Sequence, residues 1–282
     1  MYSYWINFCT TQPYVFSMNP TFAPKSTRNT VSKPRFVSNS LGKGASVAVV
    51  GAGAFGGWTA LYLLRSGLTV HLIDAWGGGN SRSSSGDETR VIRSTYGDNE
   101  LYFDLNVRAL ALWKEFEERF KTKLFHQTGV LWFCYSKHEP MLEDAQPFMK
   151  KHGLANQYIS LTEARVRYPH IHVEDLDHLV FDAEAGYLKA REGAMAVQRA
   201  FQEEGGTYTQ SAVCPERNTH GEVIGLRLED GRFLQADSYV FACGAWLPSI
   251  FRDELGSIIK PTKQEAYYLG VPSPYAVQVD TM

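Results

Sequence analysis

Cysteine is scarce in this chain of 282 residues, and its four cysteines form no C-x-x-C pair and have no histidine cluster near them. This spacing excludes a disulfide framework and predicts no bound metal, as expected for a protein of a reducing, intracellular compartment. A strong charge of either sign is also lacking, since the formal net charge is −2. Because nucleic-acid-binding domains usually carry a basic patch, we expect no nucleic acid among the partners.

Long apolar runs are equally rare. One stretch, residues 45–64, is uncharged and long enough to cross a membrane, but its glycines and Ser46, Trp58 and Thr59 weaken that interpretation. A glycine motif described below accounts for the same residues. We therefore expect no membrane span, and the 44% apolar composition supports a globular core instead.

The first 45 residues contain no Asp or Glu, although they carry five basic side chains. They are rich in Ser, Thr, Asn and Pro without a periodic apolar face, so the segment 1–45 is predicted to be a disordered N-terminal extension. An organelle-import signal and a start codon assigned too early, with Met18 or a later residue as the true start, both fit this composition. A secretory signal is disfavoured, and the expected location is intracellular, in the cytoplasm unless the extension directs import.

From Ser46 onward the apolar pattern becomes regular. A strand over 47–50, a helix over 54–66 and a strand over 68–74 predict a βαβ unit. Further along the chain the pattern predicts helices over 99–120, 141–152, 162–168 and 189–204, and strands over 129–135, 207–213, 223–228, 233–235, 238–242 and 258–269.

The strongest motif is the G-x-G-x-x-G of residues 51–56, placed directly after a strand and opening a helix. Gly51 allows the tight turn, Gly53 keeps the helix N-terminus open to a pyrophosphate, and Gly56 lets helix and strand pack closely. Asp74 ends the second strand, where a carboxylate accepts hydrogen bonds from both ribose hydroxyls and would repel a 2′-phosphate. The motif therefore predicts an adenosine dinucleotide other than NADP, and leaves FAD and NAD both open.

Three further stretches resemble one family. Residues 83–97 form a Ser-rich loop followed by T-R-V-I-R-S-T-Y, residues 123–131 read K-L-F-H-Q-T-G-V-L, and residues 236–246 read A-D-S-Y-V-F-A-C-G-A-W. Together they make the segment 46–270 similar to the FAD-dependent amine oxidoreductases of the D-amino-acid oxidase superfamily, with sarcosine and N-methyltryptophan oxidases as the nearest branch. The chain departs from that family in the Ser-rich loop, where Ser85 and Gly86 replace an expected histidine.

The resemblance implies catalytic roles for Arg90, at the flavin face, and Arg93, holding the substrate carboxylate, with Tyr96 beside them. If the segment is helical, the two guanidiniums, three residues apart, project to one side; a solvated surface pair is the alternative. Gly244 would let the backbone approach the cofactor, whereas the indole of Trp246 is expected in the core. The expected cofactor contacts are Gly51, Gly53, Ala54, Phe55, Gly56, Asp74, Ala75, Ser84, Thr89, Arg90, Val213, Gly244 and Trp246.

The expected fold is α/β, with a discontinuous Rossmann-like FAD-binding domain (46–126 and 188–257) and an incomplete α+β substrate domain (127–187 and 258–282). The resemblance implies oxidation of the C–N bond of a secondary or primary amine, or of an N-methyl amino acid, to an imine. Small amine or amino-acid substrates and molecular oxygen are then the partners, and hydrogen peroxide is formed.

Members of that family are longer than this chain, so the segments carrying their catalytic Lys and flavin-linking Cys are expected to be missing. No cysteine here matches the linking position, so the FAD is predicted to be noncovalent. A chain that lacks those segments is expected to turn over amines poorly. Two alternatives stay open: an NAD-dependent dehydrogenase, and a truncated FAD-binding protein without catalytic activity.

Overall fold

The fold is given by a computed structural model that describes residues 42–263. Within this range, Gly42–Pro261 form one compact unit. The predicted N-terminal extension up to residue 41, and the part of the last predicted strand beyond residue 263, lie outside the described residues. The strands are β1 (Ser46–Val50), β2 (Thr69–Asp74), β3 (Thr89–Ile92), β4 (Phe125–His126), β5 (Val130–Cys134), β6 (Asn156–Ile159), β7 (His178–Asp182), β8 (Gly186–Lys189), β9 (Thr207–Gln210), β10 (Val213–Arg217), β11 (Val223–Leu228), β12 (Phe233–Leu234) and β13 (Ser238–Phe241).

The helices alternate with these strands over much of the chain. They are α1 (Ala54–Arg65), α2 (Glu100–Phe120), α3 (Pro140–Glu143), α4 (Gln146–Lys151), α5 (Leu161–Arg167), α6 (Ala190–Glu203), α7 (Leu247–Ile250) and α8 (Arg252–Leu255), and a 3₁₀ turn (Gly244–Trp246) precedes α7.

A four-stranded parallel sheet in the order β13-β1-β2-β9 forms the centre of the fold. Its central strands are apolar on both faces, as is typical of a parallel sheet covered on both sides. On one face, α1 and α6 pack through Leu61, Val197 and Phe201, all at most 2% exposed. On the other face, the antiparallel sheet β10-β11-β12 contributes Leu226 to a second cluster.

Two smaller antiparallel sheets complete the described unit. The sheet with strand order β3-β8-β4 joins the segment after the Ser-rich loop to the chain around Gly186. The sheet with strand order β5-β7-β6 packs against α5. The strands of the parallel sheet come from the two segments predicted for the FAD-binding domain, whereas β5, β6 and β7 come from the segment 127–187. The boundaries of those two domains stay a prediction.

Several predicted elements differ from the structure for local reasons. The predicted helix over 141–152 is two short helices, because Pro147, in the first turn of α4, cannot supply an N–H to a continuous helix. The predicted strand over 207–213 divides after Gln210, where the Ser211 N–H donates to the Asp74 carbonyl at 3.0 Å and the chain leaves the parallel sheet to begin β10. The sequence pattern predicts none of the strands β3, β6, β7 and β8.

The predicted strand over 258–269 is wrong in its described part. Residues 258–263 have no strand conformation and follow a turn after α8, while residues 264–269 are outside the described range. Among the described residues, no helix is long and apolar enough to cross a membrane. The same residues contain no group of three His, Cys, Asp or Glu side chains arranged to hold a metal ion.

Candidate functional site

The glycine turn lies at the carboxyl edge of the parallel sheet and has the geometry that its motif predicts. Gly51 has φ of +105°, and its N–H donates to the Ile73 carbonyl at 2.7 Å. A Cβ at Gly51 would collide with the backbone of Ala242, and one at Gly56 would collide with the Gly51 carbonyl. Both glycines are therefore required by the close approach of α1, β1 and β13.

Gly53 is different, because it is open rather than crowded. It is the N-cap of α1 with extended backbone, and a Cβ there would meet only the Ser85 hydroxyl oxygen, at 3.4 Å. That hydroxyl accepts a hydrogen bond from the Ala54 N–H at 3.0 Å. Phe55, the next residue of α1, is 86% exposed. The helix N-terminus thus presents backbone donors beside a hydroxyl, a setting that attracts an anion.

Asp74 joins the ends of β1 and β2 through its carboxylate. Its Oδ2 accepts from the Ala52 N–H at 2.7 Å, and its Oδ1 accepts from the Trp76 and Gly77 N–H groups, both at 2.8 Å. A carboxylate has roughly four lone-pair positions, so acceptor capacity remains for a ribose hydroxyl. Asp74 therefore has a structural role beside the predicted ligand role. Ala75 follows it in the bend that leads into the Ser-rich loop.

The loop between β2 and β3, residues 75–88, is held against α6. The Gly78 N–H donates to Gln198 Oε1 at 2.7 Å, and Arg191 Nε donates to the Gly86 carbonyl at 3.0 Å. Asn80 tightens the loop, since its Oδ1 accepts from the backbone of Arg82 and Ser83. These contacts fix the position from which Ser85 reaches α1.

Arg90 does not lie on a helix with Arg93, so the condition under which the two guanidiniums would project to one side is not met. Thr89–Ile92 is strand β3, paired with Gly186–Lys189, because the segment completes an antiparallel sheet. The Arg90 guanidinium forms an ion pair with Asp87 and donates to the Ser84 carbonyl at 2.8 Å. The contacts of Arg90 therefore hold the end of the Ser-rich loop in place.

Arg93 lies against the rings of Tyr96 and of Trp132 in β5. The Arg93 Cζ lies 5.4 Å from the ring centroid of Tyr96 and 4.9 Å from that of Trp132. Its Nε donates to the Thr95 carbonyl at 3.4 Å. Over residues 42–263 no carboxylate pairs with Arg93, so its terminal N–H groups keep the fork geometry that binds carboxylates.

The opposite side of the turn is formed by the segment after β13. Cys243 Sγ lies 3.5 Å from the Val50 carbonyl, and burial, with a smaller effect of Asp74, raises the pKa of its thiol to about 12. Gly244 has φ of +50° and open space around it. Trp246 is not in a core cluster of the described residues, contrary to the expectation; its ring packs against that of Trp76 at a tilted angle.

Of the other predicted contacts, Val213 begins β10 near the end of β2 and packs beside Leu226. Thr89 begins β3, one residue from Arg90. Of the serines, the structure places Ser85 rather than the predicted Ser84 at the helix N-terminus. The structure adds three residues that the sequence did not predict. Ser85 contacts Ala54, 31 residues earlier in the chain, and Gln198 and Arg191 contact a loop more than 100 residues away. No local sequence signal marks such contacts.

The sequence pattern of one family, described as FAD dependent oxidoreductase, matches residues 46–281. The chain belongs to this family. The family pattern agrees with the FAD interpretation of the glycine turn and excludes the NAD alternative. It also accounts for the glycine turn, the Ser-rich loop and the segment after β13 together, since all three fall within the matched residues.

Two kinds of relatives with curated names are similar to the chain. Monomeric sarcosine oxidase from Arthrobacter sp. (strain TE1826) is 26% identical over 207 residues, which cover 73% of this chain and 53% of the relative. N-methyl-L-tryptophan oxidase from Yersinia pestis (strain Pestoides F) is 26% identical over 202 residues, covering 72% and 54%. The chain thus spans about half the length of the curated relatives it matches.

Solved structures show the same fold. Fructosyl peptide oxidase from E. terrenum has a TM-score of 0.59 and 25% identity, covering 74% of this chain and 51% of that one. L-proline dehydrogenase from P. horikoshii has a TM-score of 0.62 and 22% identity, covering 75% and 56%. The α/β fold with its parallel sheet is therefore shared with this oxidase and this dehydrogenase.

Proposed function

We propose that this chain binds FAD noncovalently at the carboxyl edge of the parallel sheet. The observation that carries the proposal is the arrangement around Gly53, where an open helix N-terminus lies between Asp74 and the Ser85 hydroxyl. The FAD diphosphate would contact the backbone N–H group of Phe55, and Ser85, whose oxygen accepts from the Ala54 N–H, would donate its hydroxyl proton to a phosphate oxygen. Asp74 would accept from the ribose.

The residues fit this group on structural grounds. The site offers space where a phosphate needs it, since any side chain at Gly53 would fill that space. It also offers donors and an acceptor in the order that a diphosphate and a ribose require. Arg90 would keep the Ser-rich loop in position, because its guanidinium ties Asp87 to the Ser84 carbonyl.

We infer further that the protein oxidises the C–N bond of an amine, as suggested by the sarcosine and N-methyltryptophan oxidases among its relatives. Bound in this site, FAD would supply the hydride acceptor for the carbon next to the amine nitrogen. The chain's own part is to bind and orient the substrate. Arg93 would hold a substrate carboxylate with two parallel N–H donors, and the rings of Tyr96 and Trp132 would keep the guanidinium plane fixed.

The test is to purify the chain, load it with FAD and mix it anaerobically with N-methyl amino acids. Loss of flavin absorption on mixing is the expected result. Amines of the same shape without a carboxylate are the matched controls, and they should react more slowly because they cannot pair with Arg93. Flavin that stays oxidised with every amine would contradict amine oxidation and would favour an FAD-binding protein without catalytic activity.

A further inference from the structure

Two tryptophans join the two sides of the glycine turn. Trp76 follows β2, and Trp246 closes the 3₁₀ turn after β13. Their ring centroids are 5.1 Å apart, with the planes inclined by 47°. Because β2 and β13 pair with opposite edges of β1, a contact between residues that follow them must cross the carboxyl end of β1. That end carries the glycine turn.

Arg82 extends the same arrangement on the side of the Ser-rich loop. Its Cζ lies 5.0 Å from the ring centroid of Trp76, and its backbone N–H is fixed by Asn80. The side chain is exposed, and within residues 42–263 no carboxylate forms an ion pair with it. Arg82, Trp76 and Trp246 therefore form a row, called here the aromatic row, built from the loop between β2 and β3 and from the segment after β13.

The aromatic row differs from the aromatic packing elsewhere in the chain. Trp58 and Trp113 have a similar centroid distance, 5.0 Å, but both pack against the buried cluster between α1 and α6. Trp76, by contrast, is 41% exposed and belongs to no core cluster of the described residues. An exposed indole that is held in place by a neighbour and a cation presents a ready surface for a planar or anionic ligand.

We propose that the aromatic row is one wall of the dinucleotide site, with Arg82 compensating the charge of the diphosphate. The proposal rests on the proposed FAD binding and adds the residues that cover the diphosphate. In open parallel sheets the ligand lies in the crevice outside the carboxyl ends of the strands, and the row crosses β2, β1 and β13 along that edge. The indole of Trp76, two residues beyond Asp74, lies on the adenosine side of the row.

The test measures equilibrium affinities for FAD, ADP and adenosine in the whole chain and in the variants R82Q, W76L and W76F. We expect R82Q to weaken FAD and ADP binding about five-fold, with little effect on adenosine and a smaller effect at high salt. W76L should weaken the binding of all three ligands, and W76F should restore most of it. The matched controls are R108Q, which changes an exposed arginine on α2, and Y135L, which changes an exposed aromatic residue.

Each outcome decides the proposal. Affinities in R82Q and W76L equal to those of the unchanged chain would overturn it, and so would tighter or faster binding, which would mean that the indole pair obstructs the ligand. If W76L does not fold, R82Q and W76F still carry the comparison. An unchanged chain that binds neither FAD nor ADP would instead contradict the proposed FAD binding itself.

Discussion

At the scale of single residues, Asp74 combines a structural and a binding role. Its carboxylate holds three backbone N–H groups, and we propose that it also accepts from the ribose. We expect Asp74→Ala to weaken FAD binding and to lower the free energy of unfolding, each by about 1–3 kcal/mol, because charge-assisted hydrogen bonds are lost. Fluorescence titration and thermal unfolding measure the two effects.

Asp237 is the matched control for that substitution. Its Oδ2 accepts from the Ser46 N–H at 2.8 Å and from the Ser46 hydroxyl at 2.7 Å, at the opposite end of β1. Asp237→Ala should therefore lower stability without changing FAD affinity. Equal losses of FAD affinity in the two variants would show that the effect at Asp74 is transmitted only through the fold.

Substitutions at Gly53 and Gly56 distinguish an effect on FAD binding from an effect on folding within one motif. Gly53→Ala adds a Cβ that meets only the Ser85 hydroxyl at 3.4 Å, in a backbone conformation open to any residue. We expect this variant to unfold at the temperature of the unchanged chain and to lose FAD affinity, because the methyl group takes the space of a phosphate. Gly56→Ala should instead reduce the yield of folded protein, since its Cβ collides with the Gly51 carbonyl. Unchanged FAD binding in Gly53→Ala would refute the assigned site.

These residues also show how far the sequence predicts the site. Gly51, Gly53, Gly56 and Asp74 were predicted because their roles depend on a short βαβ unit, in which spacing along the chain fixes position in space. The shared side of Arg90 and Arg93 was conditional on a helix, and contacts with the distant strand β8 make the segment a strand instead. Local pattern cannot report such a contact.

At the scale of elements, α6 fixes the loop that carries Ser85. We expect Gln198→Leu to leave the Gly78 N–H without its acceptor. FAD binding should weaken several-fold, because the Ser-rich loop loses its hydrogen bond to α6. Gln202→Leu, one turn further along the same helix at an exposed position, is the control and should bind FAD normally. Hydrogen exchange of residues 77–88 would report the loosened loop directly, and unchanged exchange in Gln198→Leu would count against this role of α6.

A second element-scale feature is the carboxylate at the end of α6. Glu204 pairs with Arg65 of α1 at 2.7 Å and with Arg119 of α2 at 3.0 Å, and the hydrogen bond from Arg65 lowers the pKa of Glu204 below its ordinary value of 4.5. A group with a lowered folded pKa stabilises the fold above its unfolded pKa and loses this effect as the pH falls through the folded pKa. Glu204→Gln should cost about 1 kcal/mol at neutral pH.

The pH dependence distinguishes this pair from simple packing. Thermal unfolding of the unchanged chain and of Glu204→Gln should differ at pH 7, and the two should converge as the pH falls well below 4.5, the ordinary pKa of Glu204. A constant difference at every pH would mean that the substitution acts through packing and that the ion pairs contribute nothing measurable.

At the scale of the whole molecule, the described chain brings the glycine turn, the Ser-rich loop and the segment after β13 to one edge of the parallel sheet. The family pattern spans all three. Their meeting at this edge was expected from the family resemblance, whereas the contact between Trp76 and Trp246 depends on side chains that only the folded chain brings together.

The central claim is that this chain binds FAD at that edge without a covalent bond. The most direct measurement is a titration of the purified chain with FAD, followed by acid precipitation of the complex. We predict saturable binding, with the yellow flavin recovered entirely in the supernatant. A chain that takes up no flavin at saturating FAD, or a precipitate that keeps the colour, would contradict this claim.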